Sequence, residues 1–262
     1  MGSTRIPLVR IDVLIAEKGL AESRVRAQSL IMAGLVYANG LRVDKAGTKV
    51  PVDVDVQVRN QGSQYVSRGG DKLAGALVSF APLGLTVDGA VAADFGASTG
   101  GFVDCLLQNG AKRVYAIDVG QGLLHEKLRA DSRVVVMDRV NARYVTSESL
   151  GELVDLVVID ASFIGLAKLL GAARGVLREG GGLVALVKPQ FEAGRREVSR
   201  GRGVIRDEGV RERVVAGVVG EILGFGFRVV GEADCVLAGP RGNRERFVFG
   251  RVGALGGVGG GL

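Results

Sequence analysis

Histidine and cysteine are nearly absent from this sequence. His125 is the only histidine among 262 residues, and Cys105 and Cys235 are the only cysteines. Two cysteines cannot build a disulfide framework, and with a single histidine they argue against a structural zinc site. Ser-His-Asp chemistry would have to rest on His125 alone. Long apolar runs are missing too. None approaches the ~20 residues that cross a bilayer, so no membrane span is expected. The opening stretch MGSTRIPLVRIDVL lacks the apolar core of a signal peptide. A reduced cytoplasm is the expected location, and no metal is called for.

Glycine, by contrast, is abundant at 42 residues, without a Gly-X-Y period. That excludes collagen and implies many tight turns. Hydrophobic residues make up 47% and charged residues 24%, which suits one or two globular domains. The net charge is +6, and residues 1–60 hold nine basic and six acidic side chains. Half the excess therefore lies in under a quarter of the chain. A basic module of this kind points to a polyanion, most often nucleic acid.

The pattern divides the chain. Residues 5–59 read as a small α+β unit. Ile11, Leu14 and Ile15 recur at helical spacing. Ser23 is placed to cap a second helix whose apolar face carries Val25, Ala27, Leu30 and Ile31, and Gly34 ends it. Asn39-Gly40 signals a hairpin between two short strands. Val50, Val52, Val54, Val56 and Val58 alternate with polar residues and Pro51, as in one half-buried strand. Residues 60–64 form a polar linker. From 65 to 252 apolar strands alternate with helices, which implies a parallel sheet covered on both faces. Strands are expected at 90–95, 113–118, 133–138, 155–160, 182–188, 227–231 and 246–251, and helices near 71–80, 100–110, 163–178 and 208–224. Residues 253–262 are a glycine-rich tail, expected to fray.

Ligands in such sheets bind beyond the carboxyl ends of the strands. The first strand closes on Asp94, followed by Gly96, Ser98, Thr99, Gly100 and Gly101. A dinucleotide loop needs glycine where Ser98 stands, so a pyrophosphate would be crowded. Asp118 ends the next strand, about 20 residues on, where a carboxylate suits a ribose diol. Asp138 ends the third and could meet an adenine amino group. A nucleoside without pyrophosphate is indicated, and S-adenosylmethionine fits. Four further charges fall at edges of the same sheet: Lys72, Asp160, Lys188 and Glu245. Clustered lysines and carboxylates shift one another's proton affinity and can prepare a lysine to take a proton from a ribose hydroxyl.

Four runs carry a family resemblance: Tyr65-Val66-Ser67-Arg68-Gly69-Gly70-Asp71-Lys72-Leu73, Asp94 to Phe102, Asp160-Ala161-Ser162-Phe163-Ile164, and Lys188-Pro189-Gln190-Phe191-Glu192. Together they resemble the TlyA family of ribosomal RNA 2′-O-methyltransferases, relatives of FtsJ-type enzymes. The resemblance implies a Rossmann-like class I methyltransferase sheet, an rRNA (cytidine) 2′-O-methyltransferase activity and a Lys-Asp-Lys-Glu set at Lys72, Asp160, Lys188 and Glu245, with Lys188 as base. The amino-terminal unit resembles the RNA-binding motif of small-subunit ribosomal protein four, through Arg10-Ile11-Asp12, Leu14, Ser23-Arg24, Ala27, Ile31, Gly34, Val36 and Asn39-Gly40. It implies ribosomal RNA or ribosomal subunits as partner, with contacts from Arg24, Arg26, Gln28, Arg10 and Asn39. Arg195 and Arg196, in an arginine-rich segment after Lys188, are expected on RNA phosphates. Two other readings stay open: a ribosome-binding factor without catalysis, and a membrane-lysing protein, since members of the family have been labelled haemolysins.

Overall fold

Local signals set the amino-terminal unit. The computed structural model describes residues 7–21, 23–58, 63–162, 164–193, 203–239 and 242–253. Strand β1 (Leu8–Arg10) leads into helix α1 (Ile11–Glu17), which buries Ile11, Leu14 and Ile15. Helix α2 (Arg24–Met32) starts where the Ser23 hydroxyl accepts the Arg26 amide at 3.1 Å. It buries Ala27, Leu30 and Ile31. Val25, expected on that face, is exposed, and its side chain turns toward Gly122 of the larger domain instead. Strands β2 (Val36–Ala38) and β3 (Leu41–Arg42) form the expected hairpin. Asn39 and Gly40 both take positive φ, as a tight two-residue turn demands.

The valine-rich stretch is not one strand. It splits into β4 (Lys49–Pro51), paired with β1, and β5 (Val56–Val58), paired with β2. Pro51 cannot donate to a ladder, and its carbonyl accepts the Val54 amide at 3.1 Å, which closes a turn. The turn leaves Val52 exposed while Val50, Val54 and Val56 enter one core from two small sheets.

The larger domain starts with helix α3 (Arg68–Phe80) and then alternates: β6 (Val91–Phe95), α4 (Gly101–Gln108), β7 (Arg113–Asp118), α5 (Glu126–Arg129), β8 (Val134–Asp138), α6 (Ser147–Leu150), β9 (Val154–Ile159), α7 (Ala167–Val176), β10 (Leu177–Val187), α8 (Pro189–Glu192), α9 (Glu208–Gly224), β11 (Phe227–Asp234) and β12 (Arg246–Val252). The seven strands lie in the order β11-β12-β10-β9-β6-β7-β8. The sheet is mostly parallel, not wholly so as the alternation implies. β12 runs antiparallel to both β10 and β11. Among the described residues no helix separates β11 from β12, and a short reversal can only deliver an antiparallel neighbour. Strand β10 also starts five residues earlier than expected, with its register shifting between Leu177 and Gly182.

Both faces of the sheet are covered. One apolar layer holds Leu73, Phe80, Leu106 and Phe249, and the other Leu170, Val176, Val218 and Ile222. Strand order reverses beside β6, which pairs with β7 on one side and β9 on the other. The crevice at the carboxyl end of that switch point is the expected ligand site. The small unit leans on its rim. Ser29 Oγ of α2 donates to the Leu123 carbonyl at 3.3 Å, in the segment between β7 and α5.

Candidate active site

Register builds the site. Phe95 of β6 lies beside Ile159 of β9, so the chain beyond each strand, Gly96 and Asp160, meets at one point. A Cβ on Gly96 would sit 3.3 Å from the Asp160 carbonyl, and its φ is +95°. Gly100, at φ +93°, is tighter: a Cβ there would come within 2.3 Å of Leu128. Glycine is thus required at both corners of the loop. The loop is pinned from below. Asp118 accepts the Ser98 amide on one oxygen at 2.8 Å and the Gly120 amide on the other at 2.7 Å. The Thr99 carbonyl accepts the His125 amide at 3.2 Å.

Asp118 and Asp138 end adjacent strands and lie directly opposite each other, while Asp94 stands one residue before the end of β6. Their environments differ. Asp94 is buried, and neither carboxyl oxygen has a hydrogen-bond partner. Burial, then the charges of Asp160 and Asp118, push its carboxyl well above the usual carboxylate range. Asp118 is half-buried and each oxygen keeps a lone pair beyond its amide contact. Asp138 is more committed: one oxygen takes the Gly122 amide at 3.0 Å and the Arg129 guanidinium at 2.6 Å. An orphaned buried carboxyl, a cradle a Cβ would fill, and a carboxylate with spare lone pairs fit a ligand bringing positive charge to Asp94 and a diol to Asp118.

The four sheet-edge charges converge as two ion pairs, with Lys72, Lys188 and Glu245 buried and Asp160 half-buried. Lys72 Nζ of α3 donates to Glu245 Oε2 at 2.5 Å. Lys188, just past β10, lies 2.6 Å from Asp160 Oδ1. Antiparallel pairing explains the neighbourhood: Val187 faces Arg246, so Lys188 and Glu245 stand one step beyond on adjoining strands. Burial alone would lower the proton affinity of Lys72, but the charges of Asp160 and Glu245 and the Glu245 hydrogen bond outweigh it. Lys72 is held as a cation. The set can therefore offer one fixed positive charge and one second amine to a hydroxyl brought between them.

Three residues escape a reading by pattern. The Ser162 hydroxyl accepts Lys188 Nζ at 2.9 Å. Gln190 Nε2 donates to Glu245 Oε1 at 3.2 Å, while its buried carbonyl oxygen has no partner. Buried Asn243 accepts the Ile205 amide and donates to the Gly203 carbonyl, both at 2.9 Å, which ties together two loops next to Glu245. Ser162 and Gln190 lie inside runs already singled out and Asn243 stands two residues before Glu245, but spacing does not say which way a loop side chain faces.

The expected RNA contacts fall in three places. Arg10, Arg24 and Gln28 gather on Asp12. Arg26 lies on α2 outside that group. Asn39 is elsewhere, at the hairpin turn, where it binds Asp55 through its backbone amide at 2.8 Å. Arg195 and Arg196 lie outside the described residues. Among the described residues no cluster of His, Cys, Asp or Glu is suited to a metal ion. No described helix is long and apolar enough to cross a membrane.

Known proteins give this geometry a family. The FtsJ-like methyltransferase profile matches residues 65–252, and the S4 domain profile matches residues 9–56. The chain is 44% identical to the 16S/23S rRNA (cytidine-2′-O)-methyltransferase TlyA of Mycobacterium tuberculosis, over 92% of this chain and 88% of that protein. It is 40% identical to Hemolysin A of Brachyspira hyodysenteriae, over 90% and 97%. A solved Streptococcus thermophilus structure, described as a candidate hemolysin, superposes with a TM-score of 0.72 at 42% identity, covering 95% of this chain and 90% of that one. With both profiles in chain order and relatives matched along nearly their whole length, the chain belongs to the TlyA family of FtsJ-like methyltransferases with an amino-terminal S4 domain.

Proposed function

We propose that this protein methylates ribose 2′-hydroxyls of ribosomal RNA, with cytidine as target and S-adenosylmethionine as donor, and that it works on ribosomal subunits in the cytoplasm. The observation that carries the reading is the pair of buried Lys–carboxylate contacts at the mouth of the glycine loop. When bound, S-adenosylmethionine supplies an electrophilic methyl group on a sulfonium. Asp94 would receive the cofactor's ammonium and Asp118 its ribose hydroxyls, and the backbone from Gly96 to Gly101, with Ser98 and Thr99, would hold it. Asp138 borders the adenine while staying paired to Arg129.

Lys72, kept charged by Glu245, orients the incoming hydroxyl oxygen. Lys188 would take the hydroxyl proton as general base, which readies that oxygen to accept the methyl group. Asp160 and Ser162 hold Lys188 Nζ in line, and both stabilise the ammonium that results. Water is kept away by burial of three of the four charged groups. The S4 domain, through Arg10, Arg24 and Arg26, holds the RNA backbone. Arg195 and Arg196 would add contacts to RNA phosphates.

The test uses labelled S-adenosylmethionine with purified small and large subunits that lack the modification, followed by digestion and mass spectrometry. Ribose 2′-O-methylation of at least one subunit is expected. Lys188→Ala should lose about 10²–10⁴-fold in rate, the usual worth of a general base, with affinity for S-adenosylhomocysteine retained. Transfer to neither subunit overturns the substrate, and an active Lys188→Ala overturns the base.

A further inference from the structure

In the S4 domain a buried anion organises exposed cations. Asp12 is fully buried in the first turn of α1. Its carboxylate accepts Arg10 through Nε and Nη2, each at 3.0 Å, Arg24 through Nε at 2.9 Å, and Gln28 through Nε2 at 2.8 Å. The two arginines are each about half exposed. Arg10 Nη2 and Arg24 Nε meet the same oxygen, so two like charges are held side by side. Without an anion between them they would repel and spread apart. Among the described residues Arg24 keeps both Nη groups out of any hydrogen bond, and they remain available to a phosphate. Burial by itself would push the Asp12 carboxyl up, but the bonds from Arg10, Gln28 and Arg24 outweigh it and hold it well below the usual carboxylate range.

We infer that Asp12 is a positioning residue for RNA recognition: it locks the guanidiniums of Arg10 and Arg24 into one fixed array on the face of the S4 domain. This rests on the proposed RNA-binding role of that domain. The two simplest accounts of Asp12 differ in sign. If charge alone counts, removing an acidic residue from a basic surface tightens binding to a polyanion. If Asp12 sets the array, removing it weakens binding, because the arginines lose their geometry and must be ordered again when RNA arrives.

The experiment measures binding of the full chain to purified ribosomal subunits across a salt series. Asp12→Asn is expected to bind about five- to tenfold more weakly, with the salt slope falling by about one to two phosphate contacts' worth. Arg10→Lys keeps the charge but gives up the two-toothed grip on Asp12. It should weaken binding about threefold, and it decides the question if Asp12→Asn melts the S4 domain. Affinity for S-adenosylhomocysteine reports that the catalytic domain is intact. Equal or tighter binding by folded Asp12→Asn, or unchanged binding by Arg10→Lys, overturns the inference. Arg24→Ala and Arg26→Ala separate it from the reading beneath: if neither weakens binding, the S4 surface is not where RNA docks.

Discussion

In the methyltransferase domain the ion pairs are withdrawn from water: the side chains of Lys72 and Glu245 are 11% and 1% exposed, and those of Lys188 and Asp160 are 9% and 22% exposed. In the S4 domain only the anion is withdrawn. Asp12 is 0% exposed, while Arg10 and Arg24 are 45% and 53% exposed. Buried pairs cost desolvation and yield fixed geometry and altered proton affinity, which a reaction needs. Exposed cations on a buried anchor keep their capacity for a polyanion and stay sensitive to salt. One chain uses the same residue chemistry for two tasks, and burial decides which.

The contrast can be broken from either side. The largest effect is expected at Glu245. Glu245→Gln leaves Lys72 buried with its nearest anion gone and should cost about 3 kcal/mol or more in stability, together with activity. Lys72→Met in the same chain should restore much of the melting temperature and none of the methylation. A Glu245→Gln variant that melts like the parent would mean the pair is more open to water than its burial indicates.

Backbone strain comes next. Gly100→Ala would force a side chain into positive φ and against Leu128 and Leu124. A loss of about 1–3 kcal/mol is expected, with weaker cofactor binding. Thermal melts with and without S-adenosylhomocysteine check both. For RNA, Arg24→Ala should lower affinity for ribosomal subunits and cut the salt slope by about one, while the melting temperature barely moves.

The smallest effects sharpen the comparison most. Asp94 and Asp12 are both buried aspartates, shifted in opposite directions. Asp94, raised, contributes stability fully present below the ordinary carboxylate value near 4, and loses it as pH rises through its folded value. Asp94→Asn should therefore melt higher than the ligand-free parent, by a margin that grows with pH, while binding S-adenosylhomocysteine at least about tenfold more weakly (~1.4 kcal/mol). Asp12, lowered, contributes stability present above that same value and lost as pH falls through its folded value. Asp12→Asn should melt lower than the parent at neutral pH, with the gap closing in acid. Parallel pH series that run the same way for both variants would refute the assignment of opposite environments.

Much of the catalytic domain was legible because parallel strands buried on both faces must be continuous apolar runs, and such runs stand out. Asp118 and Asp138 are legible because each closes such a run, and Asp94 because it interrupts one at its end. The valines from 50 to 58 misled, because their alternation is equally good for one strand or for two joined by a turn at Pro51. Pattern does not mark Asp12 as an organiser, although Arg10, Arg24 and Gln28 each stand out. They lie up to 18 residues apart in sequence, and only folding brings them to one carboxylate.

By itself the sequence determined element types, the glycine loop, the family and the identities of the charged groups, since these follow from local pattern and composition. Tertiary structure alone decided the antiparallel seat of β12, which sets Glu245 beside Lys188. It also decided which lysine pairs with which carboxylate, and which aspartate is orphaned and which is crowded with donors. Pairing and burial are properties of neighbours distant along the chain, and a charge takes its energy from those neighbours and not from its place in the sequence.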